Sequence, residues 1–184
     1  WQLPVGTRTE SLDEEVLKAI YDTGCHFVCY APESGSEKSL EIIKKRVKID
    51  RLVKSIKTSV KIGHTAKLNF IIGFPHETLG DCLRTIWFGV YCAFRLGVSD
   101  ILFSVFSPYP GSELFEDLKK NKKIKVNDNY FNKLHAQFDF TKGDSYCDNI
   151  SGKTLIILRL LGFFLCYGTI YLSKPVRIYR LFKK

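Results

Sequence analysis

The chain of 184 residues is long enough for one domain with a buried core, and its 45% hydrophobic and 26% charged residues are ordinary for a globular protein. It has no low-complexity tract, and its first ten residues lack the basic start and apolar run of a secretory leader. The net charge of +9 lies mainly in three clusters, at 44–48, 119–125 and 177–184. No aromatic-interleaved motif accompanies these clusters, so we interpret them as solvated helix ends and do not expect nucleic-acid binding.

Apolar periodicity predicts an alternation of helices and strands. The predicted elements are, in chain order, helix 11–23, strand 26–31, helices 37–45 and 50–60, strand 65–72, helix 78–96, strand 100–106 and helix 112–120. Ser11 and Asp50 are the predicted caps of the first and third helices. Because strands and helices alternate, the fold class is α/β, with a parallel sheet that resembles part of a (β/α) barrel.

The pattern decays over residues 121–151, which we predict to be irregular, and a strongly apolar helix follows at 154–172. It is about as long as the ~20 residues that span a bilayer. However, Arg159 interrupts it, and Gly162 and Gly168 weaken it. Three alternatives stay open: a membrane span, an interfacial helix, and a helix that packs on the domain. The tail that starts at Thr154 and ends at Lys184 also has the basic character that suits an anionic membrane surface.

The six cysteines predict neither a zinc site nor a disulfide framework, because none are spaced C-x-x-C. We interpret them as buried thiols in a reducing cytosol, and we expect no metal ligand among them. Cys25 and Cys29 lie four residues apart, which predicts that they share one face of a strand.

Three junctions between a strand and a helix carry the least generic residues of the chain. They are FVCYAPESGS at 27–36, NFIIGFPHET at 69–78 and FSVFSPYPGSEL at 103–114, called here the first, second and third corners. Loops at the carboxyl ends of parallel strands hold ligands, so the three corners predict one composite site. In the first corner, the carboxylate of Glu33 and the hydroxyls of Ser34 and Ser36 suit a ribose or an amino-acid group; the alternative is that Ser36 caps the next helix and Glu33 is solvated. In the second, Gly73 permits a backbone shape and a close ligand approach that a side chain would prevent.

Together, in this order and spacing, the corners resemble radical S-adenosylmethionine (radical SAM) enzymes, most of all the subset often preceded by a cobalamin-binding domain. The resemblance covers about residues 6–120 and implies the carboxyl-terminal half of the core barrel, strands four to six, within residues 1–125. Residues 126–184 would then be an irregular segment and a helical tail. In the complete enzymes of this family, a reduced iron–sulfur cluster cleaves S-adenosylmethionine to a 5′-deoxyadenosyl radical.

The resemblance also implies roles for individual residues. The positions that match the family's cofactor-binding motifs are Glu33, Ser34, Gly35, Lys45, Arg46, Ile72 and Gly73, and those that match its substrate cavity are Phe106 and Tyr109. Glu33 and Ser34 match a ribose motif, and Lys45 or Arg46 matches a basic position that pairs with the methionine carboxylate. The backbone at Gly73 matches the strand end that lies against the adenine.

One departure from the family is large. The cluster-binding C-x3-C-x2-C run and the Gly-Gly-Glu motif are absent. Cys25 and Cys29 share the first spacing, but Pro32 stands where the third cysteine would fall. Three thiolates are needed to hold the family's four-iron cluster, so no catalytic residue is assigned in this chain.

We therefore expect a fragment, which the start at Trp1 and the absence of Met also suggest. In that interpretation, an amino-terminal half carries the 4Fe-4S cluster, a missing domain carries any cobalamin, and the chain alone does not catalyse the reaction. The alternative is a non-catalytic remnant or split subunit that binds a partner or a membrane surface. The expected location is the cytoplasm, including the inner face of a membrane.

Overall fold

The computed structural model of the protein describes residues 1–8, 12–135 and 139–176. Four strands form one parallel sheet in the order β1-β2-β3-β4. The strands are β1 (Gln2–Thr7), β2 (Phe27–Glu33), β3 (Thr65–Ile72) and β4 (Asp100–Val105). The parallel sheet and its helices confirm the predicted α/β partial barrel. Strand β1 was not predicted, because Pro4 and Gly6 interrupt an already short apolar run.

Seven α-helices connect and flank the strands in the described part of the chain. They are α1 (Glu14–Asp22), α2 (Glu37–Ile42), α3 (Ile49–Ile62), α4 (Leu79–Tyr91), α5 (Glu113–Lys120), α6 (Asp128–His135) and α7 (Gly152–Ser173). A π-helical turn, Cys92–Leu96, extends α4 as far as the left-handed Gly97. Helix α6 corrects the prediction of an irregular segment. It starts after Asn127, whose Oδ1 accepts a hydrogen bond from the amide of Tyr130. Because the helix is only eight residues long, its apolar periodicity is too short to detect in the sequence.

Helices α1 and α3 begin at residues other than the two predicted caps. Ser11 lies outside the described residues, and the side chain of Asp13 caps α1 by accepting a hydrogen bond from the amide of Val16 at 2.8 Å. The prediction for Asp50 was wrong: α3 starts after Lys48, and Asp50 lies in its first turn, where a carboxylate suits the helix dipole. Helix α2 is also shorter than predicted, because Lys44 takes a left-handed φ of 56°.

The main core lies between the sheet and its helices. Alternate side chains of the strands, among them Leu68, Phe70 and Phe103, face the helices and are buried. The intervening residues face the other side, where Asn69 Nδ2 donates a hydrogen bond to Cys29 Sγ at 3.2 Å. Cys25 precedes β2 and belongs to the main core, so the expectation that it shares a face with Cys29 was wrong.

Helix α7 packs on the domain, as one of the three alternatives expected. Its residues Leu155, Leu158, Cys166 and Ile170 belong to the main core. By length and composition alone, with a mean hydropathy of 2.0, it would be able to cross a membrane. The separation of the chain at residue 125 stays a prediction, although α7 from the second part helps to form the core of the first.

Candidate functional site

The sheet brings the three corners to one end of the molecule. Strands β2, β3 and β4 are parallel neighbours, and each corner contains the carboxyl end of its strand and the loop after it. Register pairs Phe70 with Phe103 and Ile72 with Val105, so the second and third corners begin at the same level. A bulge before Glu33 shifts the end of β2 relative to β3. The corners therefore form one edge of the molecule.

The centre of this edge is Glu77, a fully buried carboxylate. One of its oxygens accepts hydrogen bonds from the amides of Gly73 at 2.8 Å and Phe74 at 3.1 Å. The other accepts one from the hydroxyl of Ser39 in α2 at 3.0 Å. Burial raises the pKa of Glu77, although these hydrogen bonds act in the opposite direction. Glu77 thus ties the second corner to the helix that follows the first.

Helix α4 fixes the first corner in a similar way. Thr85 Oγ1 accepts a hydrogen bond from the amide of Gly35 and lies 3.0 Å from the hydroxyl of Ser34. The hydroxyl of Ser36 donates to Asp81 at 3.0 Å. Burial alone would raise the pKa of Asp81, but hydrogen bonds from Thr78 and Ser36 outweigh it and lower that pKa. The Ser34 and Ser36 side chains therefore hold the loop in place.

Sequence reasoning did not identify Glu77, Asp81 or Thr85 as residues of the site. A signal was present, because polar residues recur every four positions just before and within an otherwise apolar helix. That spacing places Asp81 and Thr85 on one face of α4, the face toward the first corner, whereas Glu77 precedes the N-cap Thr78. Their burial is the property that periodicity alone did not reveal.

Glu33 and Lys45, two predicted site residues, form an ion pair at 2.9 Å. Glu33 takes a φ of 68°, which is uncommon for a residue other than glycine and marks constrained positions. Beside the pair is a cavity of about 440 Å³ at the ends of β1 and β2. Its lining includes Arg8, Lys44, Lys45 and Arg46. Lys44 also pairs with Glu113 at 2.5 Å, so four cations stand against these two carboxylates, an excess of positive charge that favours an anionic group.

Gly73 has the positive φ that the sequence predicted, at 85°. A Cβ at this position would stand 2.6 Å from Leu155 of α7, so helix packing occupies that side of the backbone. Ile72 is fully buried in the main core. Any contact of these two residues with a ligand would therefore use their backbone on the face of the sheet away from α7.

Two polar atoms near the second corner have no hydrogen-bond partner within the described residues. They are Asn69 Oδ1 and His76 Nε2, and both are buried. Asn69 belongs to the face of β3 opposite the helices. Burial lowers the pKa of His76, which favours the neutral imidazole. Unpaired buried polar atoms are costly, so this part of the site suits a ligand with matching polar groups.

In the third corner, the structure separates the two residues predicted for a substrate cavity. Phe106 packs in a second apolar cluster, with its ring 5.0 Å from that of Phe74. Tyr109 is half exposed in the loop. A cavity of about 350 Å³ does open at the end of β4, lined by Val105, Ser107 and residues of the segments 133–134 and 141–146.

The loop that precedes α7 is attached to the second corner. Cys147 Sγ and Asn149 Nδ2 both donate to the carbonyl oxygen of Glu77, at 3.0 and 3.3 Å. The amide of Asp148 donates to the carbonyl oxygen of Pro75 at 3.2 Å. Residues after the barrel strands thus help to hold the site together.

The cysteines of the chain are all free, and all but the partly buried Cys147 are buried. Burial raises the pKa of Cys82, next to Glu77, to about 12, so it remains a neutral thiol at physiological pH. Within the described residues, no group of three or more His, Cys, Asp or Glu side chains is placed to hold a metal ion.

No family model matches the chain. It is 37% identical over 110 residues to an uncharacterized methyltransferase of Pyrococcus horikoshii, covering 60% of this chain and 23% of that protein. Over 120 residues it is 32% identical to cytidylyl-2-hydroxyethylphosphonate methyltransferase of Streptomyces wedmorensis, which covers 64% of this chain and 22% of that protein. Over 137 residues it is 25% identical to bacteriochlorophyllide d C-8(2)-methyltransferase of Chlorobaculum tepidum, which covers 73% of this chain and 29% of that protein.

The chain is therefore similar to proteins named methyltransferases. It spans less than a quarter of the length of the first two and less than a third of the other. The substrates in the last two names differ in chemistry, so the similarity indicates no particular substrate.

Proposed function

We propose that this chain forms the carboxyl-terminal half of the barrel of a radical SAM methyltransferase and supplies the wall that holds S-adenosylmethionine. The observation that carries the proposal is the meeting of three family-like corners at one edge of a parallel sheet. The similarity to proteins named methyltransferases supports the reaction class.

The residues of the site fit the cofactor. The cavity lined by Lys45 and Arg46 would take its carboxylate, and Glu33 beside it would take the ammonium or ribose hydroxyls. The unpaired Asn69 Oδ1 would accept from the adenine amino group, next to the backbone of Ile72 and Gly73. When bound, S-adenosylmethionine supplies the methyl and adenosyl groups of the reaction. The chain's own contribution is to bind and orient it.

The iron–sulfur cluster does not fit the residues of this chain. The three-cysteine run is absent from the sequence, and the described cysteines are dispersed and mostly buried. We therefore derive no step through a cluster. In this proposal, the cluster-binding half and any cobalamin-binding domain lie outside these 184 residues, either in a preceding segment or in a partner chain.

The test is a titration of the ¹⁵N-labelled chain with S-adenosylmethionine, followed by amide chemical shifts. We expect shifts at Gly35, Gly73 and the Asn69 side-chain amide. Replacing both Lys45 and Arg46 by Gln should weaken binding by roughly 10- to 100-fold, since a charge-assisted hydrogen bond contributes on the order of 1.5–3 kcal/mol. Lys120→Gln, on the exposed end of α5, is the matched control.

Decarboxylated S-adenosylmethionine separates the proposed carboxylate contact from general electrostatic attraction. It should bind the unaltered chain about as weakly as the natural cofactor binds the double variant. Its own affinity should be the same for the unaltered chain and for the double variant. An absence of shifts at the three corners, or equal affinity for the two compounds, would contradict the proposal.

A second candidate function is a non-catalytic subunit that binds a partner half. The observation in its favour is that β1 and β4, the outer strands of the sheet, each have only one strand neighbour within the described residues. Open strand edges readily pair with another chain. A stable, folded chain that shows no shifts with S-adenosylmethionine but pairs with a separately expressed amino-terminal half would favour this candidate.

A further inference from the structure

The outer surfaces of α4 and α7 expose large apolar side chains. On α4 and its π-helical extension, Trp87 is 60% exposed and Phe94 62%. On α7, Phe164 is 76% exposed, and Ile157 and Leu172 are more exposed than buried. Exposed apolar side chains in such numbers on two neighbouring helices are uncommon on a monomeric protein surface and mark an interaction site.

These side chains form one continuous strip. A Cβ on Gly89 would stand 3.1 Å from Cys166 Sγ, so α4 and α7 are in contact at this level. Trp87 and Phe164 each lie two residues before that contact, and about 200° of helical rotation turns both toward the outside. Near the other end of the pair, Lys174 approaches Gly97, so the helices run in the same direction. We call the strip formed by Trp87, Phe94, Ile157, Leu161, Phe164 and Leu172 the outer face.

The charged side chains that α4 and α7 themselves place beside the outer face are cations, although Asp100, which accepts from the hydroxyl of Tyr167, also approaches α7. Arg95, Lys153 and Lys174 are exposed beside it. The sequence contains no Asp or Glu between Cys82 and Val98, and none after Ser151. Residues 177–184, which lie outside the described part of the chain, contain four further cations in sequence, Arg177, Arg180, Lys183 and Lys184. The outer face is therefore an apolar strip in a basic surrounding.

We propose that the outer face binds the surface of an anionic lipid bilayer, with α7 lying parallel to the membrane plane. The combination of aromatic and aliphatic side chains with flanking Lys and Arg is that of interfacial helices, which bury one apolar face at the headgroup boundary and attract anionic lipids. An acidic protein partner would match the charge, but it would not explain the length of apolar surface, ~33 Å along α7.

The opposite side of α7 explains why the helix lies on the membrane and does not cross it. Leu155 and Cys166 are fully buried against the sheet and α4. Arg159 is also buried, and its guanidinium donates to the carbonyl oxygens of Asp139 and Lys142 at 2.9 and 3.1 Å. Insertion across a bilayer would remove these contacts and expose the core, whereas binding along the outer face preserves them.

Trp87 provides a direct reporter, because the chain has only one other tryptophan, Trp1. In the Trp1→Phe variant, we expect the emission of Trp87 to shift to the blue on vesicles of phosphatidylcholine and phosphatidylglycerol (about 3:1), and to be quenched by brominated lipids. Vesicles of phosphatidylcholine alone, or about 0.5 M salt, should weaken binding. In the Trp87→Phe variant, Trp1, which donates to the carbonyl oxygen of Thr23 away from the outer face, should show no shift.

A matched pair of variants tests the surface itself. Phe164→Ser should lower the vesicle partition coefficient about tenfold, since burial of one large apolar side chain changes an equilibrium by that order. Phe131→Ser, on the exposed side of α6, should leave it unchanged. The urea midpoint of each variant verifies that it is folded.

Three results would overturn the proposal. The first is no binding to anionic vesicles, and the second is binding without a Trp87 shift. The third is a dimer in solution that Phe164→Ser dissociates, which would show that a second copy covers the outer face. None of these results depends on S-adenosylmethionine binding.

Discussion

At the scale of single residues, Glu77 is the side chain on which the geometry of the site depends most. Its carboxylate is fully buried, accepts from two backbone amides of its own corner, and reaches the hydroxyl of Ser39 beyond the first corner. A buried carboxylate with several donors rigidifies a loop, and its removal leaves those donors unpaired.

Glu77→Gln tests this role through pH. Because burial raises the pKa of Glu77 in the folded state above its usual value of 4.5, the contribution of this group to stability is complete below pH 4.5 and is lost as the pH rises through the raised pKa. Gln, which stays neutral, should remove that loss. The unfolding free energy of the variant, relative to the unaltered chain, should therefore rise with pH.

The difference in unfolding free energy between the variant and the unaltered chain is measured by urea denaturation at several pH values from about 4 to about 8. Glu41→Gln, on the exposed side of α2, is the control and should follow the unaltered chain. A difference that is constant across this range, or that falls with pH, would refute the assigned pKa direction.

At the scale of secondary structure elements, the site depends on how closely α7 approaches the end of β3. Gly73 meets the side chain of Leu155, and Gly162 of α7 meets the ring of Phe103. Helices approach strands this closely only where a glycine leaves room. The two glycines therefore serve helix packing, and Gly73 also provides the left-handed turn of the second corner.

Gly73→Ala should destabilise the chain by about 2–5 kcal/mol, the sum of two effects. A positive φ costs a residue with a Cβ about 1–2 kcal/mol, and overpacking against Leu155 adds about 1–3 kcal/mol. Gly111→Ala is the matched control, since Gly111 has nearly the same φ of 86° but a Cβ added there would meet no atom within 4 Å. Gly111→Ala should therefore show only the cost of the positive φ. Urea denaturation measures the loss of stability in both variants. Equal losses in the two variants would show that Leu155 does not restrict position 73.

At the scale of the whole molecule, the tail is part of the domain. Arg159 of α7 connects it to the loop at 139–142, with its guanidinium 5.4 Å from the ring centroid of Phe140. The loop at 145–150 in turn holds the second corner. Shared core residues and these hydrogen bonds predict that the chain unfolds as one cooperative unit.

Arg159→Met should keep most of the packed volume while removing the guanidinium hydrogen bonds. We expect a loss of about 2 kcal/mol in unfolding free energy, because hydrogen bonds to charged groups contribute about 1.5–3 kcal/mol. Trp87 fluorescence and far-ultraviolet circular dichroism should report the same shifted transition. Arg95→Met, at an exposed arginine, is the control. Two separate transitions would show that the tail folds independently.

Periodicity and loop composition predicted the α/β class, strand β3 to the residue and the end of the sheet where the corners meet. The same reasoning missed β1 and α6, since each is short and its apolar pattern is interrupted or weak. It left open whether the hydroxyls of Ser34 and Ser36 face a ligand or Ser36 caps the next helix; the structure shows Ser36 as the cap of α2, and Thr85 and Asp81 bonded to the two hydroxyls. Hydrogen bonds between residues so far apart in the chain leave no local pattern.

The sequence by itself determined the parallel α/β architecture, the three corners and the resemblance to radical SAM enzymes, because these follow from local spacing and residue type. Only the tertiary structure decided that Glu77 and Thr85 hold the corners together and that α7 packs on the sheet. It also decided that Trp87 and Phe164 share an exposed surface. These features depend on which distant side chains become neighbours, and a linear pattern does not encode that directly.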